Sequence, residues 1–131
     1  MPDRHIFLIG MQGCGKSSLG KRVARETGLS FADTDAMVAG SAGGTVMNPE
    51  NRHIMRSWGM IVLIDRPLED ILTDIKLDRR PTLRDGGLEE VERVYRERIS
   101  VYRQLADITL RNDQGYHMAV YTLSRIVRER F

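Results

Sequence analysis

The stretch His5-Ile6-Phe7-Leu8-Ile9-Gly10-Met11-Gln12-Gly13-Cys14-Gly15-Lys16-Ser17 decides how this chain is read. Its first five residues form an unbroken apolar run, the pattern of a strand covered on both faces of a parallel sheet. Residues 10–17 then fit G-x-x-x-x-G-K-[ST], a loop whose glycines let backbone N–H groups curl around phosphate oxygens. The spacing of Leu19 and Val23 predicts a helix directly afterwards, closing near Gly28, and its N-terminus adds positive potential to the loop. Within the motif Lys16 reaches the β- and γ-phosphates of a nucleotide such as ATP, and the Ser17 hydroxyl is suited to Mg²⁺. Cys14 lies inside the loop near a helix start, where a thiol pKa can fall, and reads first as a small filler.

Working outward, the same alternation repeats. Leu29 to Ala32 reads as a second strand, and residues 39–44 as loop. Asn48-Pro49 reads as a cap and first helical residue of a helix reaching Trp58 and Gly59. Met60 to Ile64 is another two-faced apolar strand. Pro67 opens a helix with Leu68, Ile71, Leu72 and Ile75 at helical spacing. Residues 78–87 are a polar loop, and Leu88, Val91, Tyr95, Ile99 and Tyr102 mark a long amphipathic helix. A last strand runs from Asp107 to Arg111, and a helix from about Gly115 onward. Strands alternating with helices predict an α/β fold around a central parallel sheet, with ligands at the strand C-termini.

With 131 residues, 41% of them hydrophobic and 29% charged, one domain over 1–131 is expected. A net charge of +2 argues against a duplex-binding surface, and no apolar run approaches a membrane span. Neither nucleic acid nor membrane is therefore an expected partner. A single Cys fits a reducing, cytoplasmic setting. The basic residues are almost all arginine, which suits either an anionic small ligand or GC-rich codon usage.

Phosphoryl transfer needs a group for the metal and one to orient or deprotonate the acceptor hydroxyl. Asp33 and Asp35, two apart at a strand end, point the same way on an extended chain; Asp65 is a competing candidate, and either position could simply cap the next helix.

In these motifs the chain resembles shikimate kinase, a small P-loop kinase family. Ile6 to Gly10 with Lys16-Ser17-Ser18-Leu19-Gly20 resembles its opening, and Asp33-Thr34-Asp35 its D-[ST]-D strand end. Ala42-Gly43-Gly44-Thr45-Val46 with Pro49 to Arg52 resembles its glycine-rich substrate loop. Arg80-Pro81-Thr82-Leu83 resembles its lid, and Arg98 through Tyr102-Arg103 to Ala106-Asp107 its closing segment. The resemblance implies a three-layer P-loop kinase-type fold with a phosphate loop at 10–17, a substrate region at 36–46 and a short lid at 78–88. It also implies ATP- and Mg²⁺-dependent phosphorylation of the shikimate 3-hydroxyl in aromatic amino-acid biosynthesis. Lys16, Asp35 and Arg80 would be catalytic. Gly13, Cys14, Gly15, Lys16, Ser17, Ser18 and Arg80 would bind ATP. Asp35, Gly43, Gly44 and Arg98 would bind shikimate, and Ser17 and Asp33 would hold the metal.

Only seven residues, Ala36 to Ala42, separate Asp35 from Gly43. The family pattern has a helical segment and a strand there, so the chain is roughly 35–40 residues short at a point where a parallel crossover needs about a dozen. The missing part includes an Arg that contacts the shikimate carboxylate. Two rivals stay open: a kinase for another small hydroxylated metabolite, and a nucleotide-binding module without an acceptor site. A monomer is expected, with dimerisation across residues 29–46 as the alternative if a sheet edge is uncovered.

Overall fold

The computed structural model describes residues 5–11, 13–30, 48–77 and 87–130. In chain order these form β1 (His5–Ile9), α1 (Lys16–Thr27), α2 (Pro49–Trp58), β2 (Gly59–Asp65), α3 (Leu68–Leu77), α4 (Gly87–Leu105), β3 (Ile108–Arg111) and α5 (Tyr116–Arg130). The sheet order is β1-β2-β3, and both pairings are parallel.

Because side chains alternate along a strand, β1 and β2 each serve two cores, whereas β3 serves one. Ile6, Leu8, Val62, Ile64, Ile108 and Leu110 face one side and pack with Leu19 and Val23 of α1 and Ala119, Leu123 and Val127 of α5. Phe7, Ile9, Ile61 and Leu63 face the other, against Met55 of α2, Ile71 of α3 and Tyr102 and Leu105 of α4. This is the expected three-layer α/β arrangement, and it explains why β1 and β2 read as continuous apolar runs.

Local chemistry sets the ends. Asn48 accepts the Glu50 N–H on its side chain at 2.9 Å, with Pro49 next, as the sequence predicts for α2. At β3 the Asp107 N–H donates to the Ile61 carbonyl, and its carboxylate accepts the Ile61 N–H, both at 2.8 Å. A side chain thus does the work of one ladder rung, and the strand proper begins one residue later than expected.

Two expectations need correction. Leu29 and Ser30 are not strand: the Leu29 N–H donates to the Ala24 carbonyl at 2.9 Å, completing the α1 cap beside Gly28. Residues 31–32 of that expected strand lie outside the described residues, as does the 39–44 loop. Gly87 and Leu88, expected in the lid, instead open α4, whose first turn carries Glu89 and Glu90 where acidic side chains favour a helix start. Part of the arginine surplus is solvent-side helix pairing, as in Arg22–Glu26, Arg96–Glu92 and Arg125–Glu129; water screens such exposed pairs, so they stabilise their helices only weakly. No helix among the described residues is long and apolar enough to cross a membrane.

Candidate functional site

The site grows from the end of β1. Ile9, Gly10 and Met11 are buried, and Gly10 turns at φ 154°. A Cβ there would lie 2.7 Å from the Ile64 carbonyl oxygen and 2.7 Å from Cys14 Sγ, so only glycine lets the chain leave the strand this close to β2. The loop then closes on itself, with the Cys14 N–H donating to the Met11 carbonyl at 3.1 Å. Gly13 (φ 86°) and Gly15 (φ 95°) carry it into α1.

Gly15 caps α1 with no side-chain hydrogen bond, and the first turn of α1 has no acidic residue. The positive end of the helix is therefore not neutralised by its own sequence, which suits an anion. Lys16 folds back over the loop, Nζ 3.5 Å from the Gly10 carbonyl. Ser17 is half-buried and Ser18 exposed in the same turn. Gly13, Cys14, Gly15, Lys16, Ser17 and Ser18 thus form one contiguous strand-loop-helix element.

Cys14 departs from the idea of a lowered pKa. Its side chain is 1% exposed within the α1–α5 core, and that burial pushes the thiol above its usual range, with the charge of Lys16 opposing. The thiol form is kept at neutral pH, so alkylation at pH 8 should run about tenfold or more slower in the folded chain than in urea. Equal rates would mean that Cys14 is accessible as thiolate.

Two residues that sequence reasoning passed over hold this loop from outside. Arg66 Nη1 donates to the Gly13 carbonyl at 2.9 Å, and Asn112 Nδ2 donates to the Cys14 carbonyl at 2.8 Å. A partial signal existed: each is the first residue after an expected strand, β2 or β3, at the C-terminal end where a parallel sheet binds ligands.

Asp65, the rival metal-side carboxylate, is turned elsewhere. It ends β2 on the face shared with Leu63 and stands 3.7 Å from Arg103. There it lines a cavity of about 430 Å³ with Leu68, Tyr95 and Arg103. Arg98 is half-buried on α4, on the side that carries Val91, Tyr102 and Leu105 rather than on a fully solvated face. Asp33, Asp35, Gly43, Gly44 and Arg80 lie outside the described residues. Among the described residues no cluster of three or more His, Cys, Asp or Glu could hold a metal ion.

Known proteins resemble this chain in sequence and in fold. A family model described as shikimate kinase matches residues 12–41 and 36–127, in two pieces that meet at residues 36–41. A shikimate kinase of Clostridium beijerinckii is 29% identical over 164 positions, covering 97% of this chain and 96% of its own. Since the chain has 131 residues, at least 33 of those positions are gaps on its side. A Vibrio parahaemolyticus shikimate kinase is 26% identical, covering 97% and 98%. Two crystal structures share the fold: shikimate kinase from Bacteroides thetaiotaomicron (TM-score 0.76, 17% identity, 94% and 97% covered) and the Acinetobacter baumannii enzyme in complex with shikimate (0.65, 20%, 98% and 94%).

Proposed function

Because the chain belongs to the shikimate kinase family, we propose that it transfers the γ-phosphoryl group of ATP to the 3-hydroxyl of shikimate. The observation that carries the nucleotide half of this reading is the loop itself: glycine-built, ending on a helix whose positive end is not neutralised by its own sequence, with Lys16 folded over it.

The hydroxyl oxygen bonds to the γ-phosphorus as the bond from that phosphorus to the bridging oxygen breaks. ADP leaves with the bridging oxygen, and the hydroxyl proton passes to a base, the role assigned to Asp35. Little covalent chemistry falls to the protein in such a transfer; it positions the groups and stabilises charge. Loop N–H groups and Lys16 neutralise phosphate oxygens, Arg80 closes over them from the lid, and Gly43, Gly44 and Arg98 hold the acceptor. Mg²⁺ takes few protein ligands and completes its shell with phosphates and water. Ser17 in the first turn of α1 fits that need, Asp33 is the second residue assigned to the ion, and the ion would spread the charge of the transferring group.

The shortened stretch at 36–46 leaves the acceptor side poorer than the nucleotide side. The family's second carboxylate-contacting Arg has no counterpart, and one charge-assisted pair is worth about 1.5–3 kcal/mol. Shikimate should therefore bind roughly tenfold to over a hundredfold more weakly than to the Clostridium beijerinckii relative. Calorimetry on both proteins checks this, and equal dissociation constants would mean that Arg98 or another Arg compensates. Coupled ADP release tests the function directly. Release that depends on shikimate supports the kinase reading; ATP binding without it under saturating shikimate would instead favour a nucleotide-binding module.

A further inference from the structure

The N–H and C=O of one peptide point opposite ways, so a loop that offers an N–H to phosphate turns the carbonyl of that peptide away from it, toward the protein's own donors. Two consecutive carbonyls of this loop, those of Gly13 and Cys14, find them on side chains distant in sequence. The topology explains why. With the sheet ordered β1-β2-β3 and all strands parallel, the loop emerges from β1 while Arg66 and Asn112 are the first residues beyond β2 and β3.

Both donors are themselves tied down. The Arg66 guanidinium pairs through Nη1 with Asp74 Oδ2 of α3 at 2.6 Å, stretching between that helix and the loop. The Asn112 N–H donates to the Asp65 carbonyl at 2.8 Å, which fixes it to the end of β2. The Asn112 amide also lies against the loop's last turn, since a Cβ on Gly15 would come 3.1 Å from Nδ2. The loop is thus clamped at two successive peptides by groups anchored in the sheet and in α3.

We propose that Arg66 and Asn112 are positioning residues for the phosphate loop: Asn112, by taking the Cys14 carbonyl, turns the Gly15 N–H of the same peptide toward the ligand, and Arg66, by taking the Gly13 carbonyl, holds the peptide whose N–H closes the turn on Met11. The inference rests on the reading of residues 10–17 as the ATP site. Preorganised donors cost no rearrangement when the anion arrives, and a loop displaced by about 1 Å loses much of that advantage.

The test compares Arg66→Met and Asn112→Ser with the parent. Serine keeps the backbone bond to Asp65 and is too short to reach the Cys14 carbonyl. Each change should raise the dissociation constant of Mg–ATP about tenfold. Inorganic tripolyphosphate, which reports on the loop without the nucleoside, should lose the same factor. The melting temperature of the ligand-free chain should move by only a few degrees. Arg66→Lys, which keeps one donor, should recover most of the affinity, and Asp74→Asn, which spares the Arg66–Gly13 bond, should change it by about twofold at most. Unchanged affinity for both probes in both variants, with Lys16→Ala still weakening ATP, overturns the clamp. A lowered melting temperature with unchanged affinity does so as well. If Lys16→Ala itself leaves ATP affinity intact, it is the phosphate-loop reading that fails, and the clamp with it.

Discussion

Lys16→Ala should cost the protein most of its ATP affinity, a loss of about a hundredfold or more. Lys16 Nζ lies over the start of the loop, within 3.5 Å of the Gly10 carbonyl, where β- and γ-phosphate oxygens would gather around the α1 N-terminus. Its removal takes away a full positive charge that the loop's N–H groups, with partial charges only, cannot replace. The fold should not suffer. Alanine is the best helix former at a first-turn position, and the bond lost to Gly10 is long. Titration calorimetry measures the affinity, and circular dichroism checks that the helical content is unchanged. Equal ATP affinity in the two proteins would remove residues 10–17 from the binding site.

Gly10→Ala should strike both stability and binding. The added methyl meets the Ile64 carbonyl of β2 and the sulfur of Cys14, each at 2.7 Å, and the backbone there sits at φ 154°. Left-handed strain costs about 1–3 kcal/mol and overpacking about as much again. The sum, about 2–6 kcal/mol, is a large part of the roughly 5–15 kcal/mol that holds an ordinary domain together. Gly28→Ala is the control. Gly28 also has a positive φ, 76°, but a Cβ there meets nothing within 4 Å, so backbone strain alone remains, about 1–2 kcal/mol. Urea denaturation should show a much lower midpoint for Gly10→Ala than for Gly28→Ala at similar slopes. Similar midpoints would mean that the loop can lift away from β2 without cost.

If ATP binding survives both loop-clamp changes but not Lys16→Ala, the loop holds its own shape once formed. If it falls with them, the strand ends beyond β2 and β3 belong to the nucleotide site although neither carries a recognised motif. The shikimate side is a separate matter, since the residues proposed for it are Asp35, Gly43, Gly44 and Arg98, and the two pieces of the family match meet at residues 36–41, beside the first three.

Apart from the strand expected at Leu29–Ala32, whose first two residues follow the α1 cap instead, the order of the described strands and helices was legible in the chain because it follows from local patterns. Apolar runs at Ile6–Ile9 and Met60–Ile64 can be stable only when covered on both faces, and parallel strands require the helices between them. The phosphate loop was legible for the same reason: glycine, lysine and serine at fixed spacing act on a ligand through their own backbone and their own helix. What only the tertiary structure decided depends on neighbours far along the chain. It set Asp65 beside Arg103 and turned it into the α3–α4 side, and it buried Cys14 so that desolvation outweighs the nearby positive charge. It also brought Arg66 and Asn112, 53 and 98 residues from their partners, onto adjacent carbonyls. Those pairings follow from which strand lies beside which, and sequence periodicity records a residue's face on its own element but not the identity of the element placed next to it.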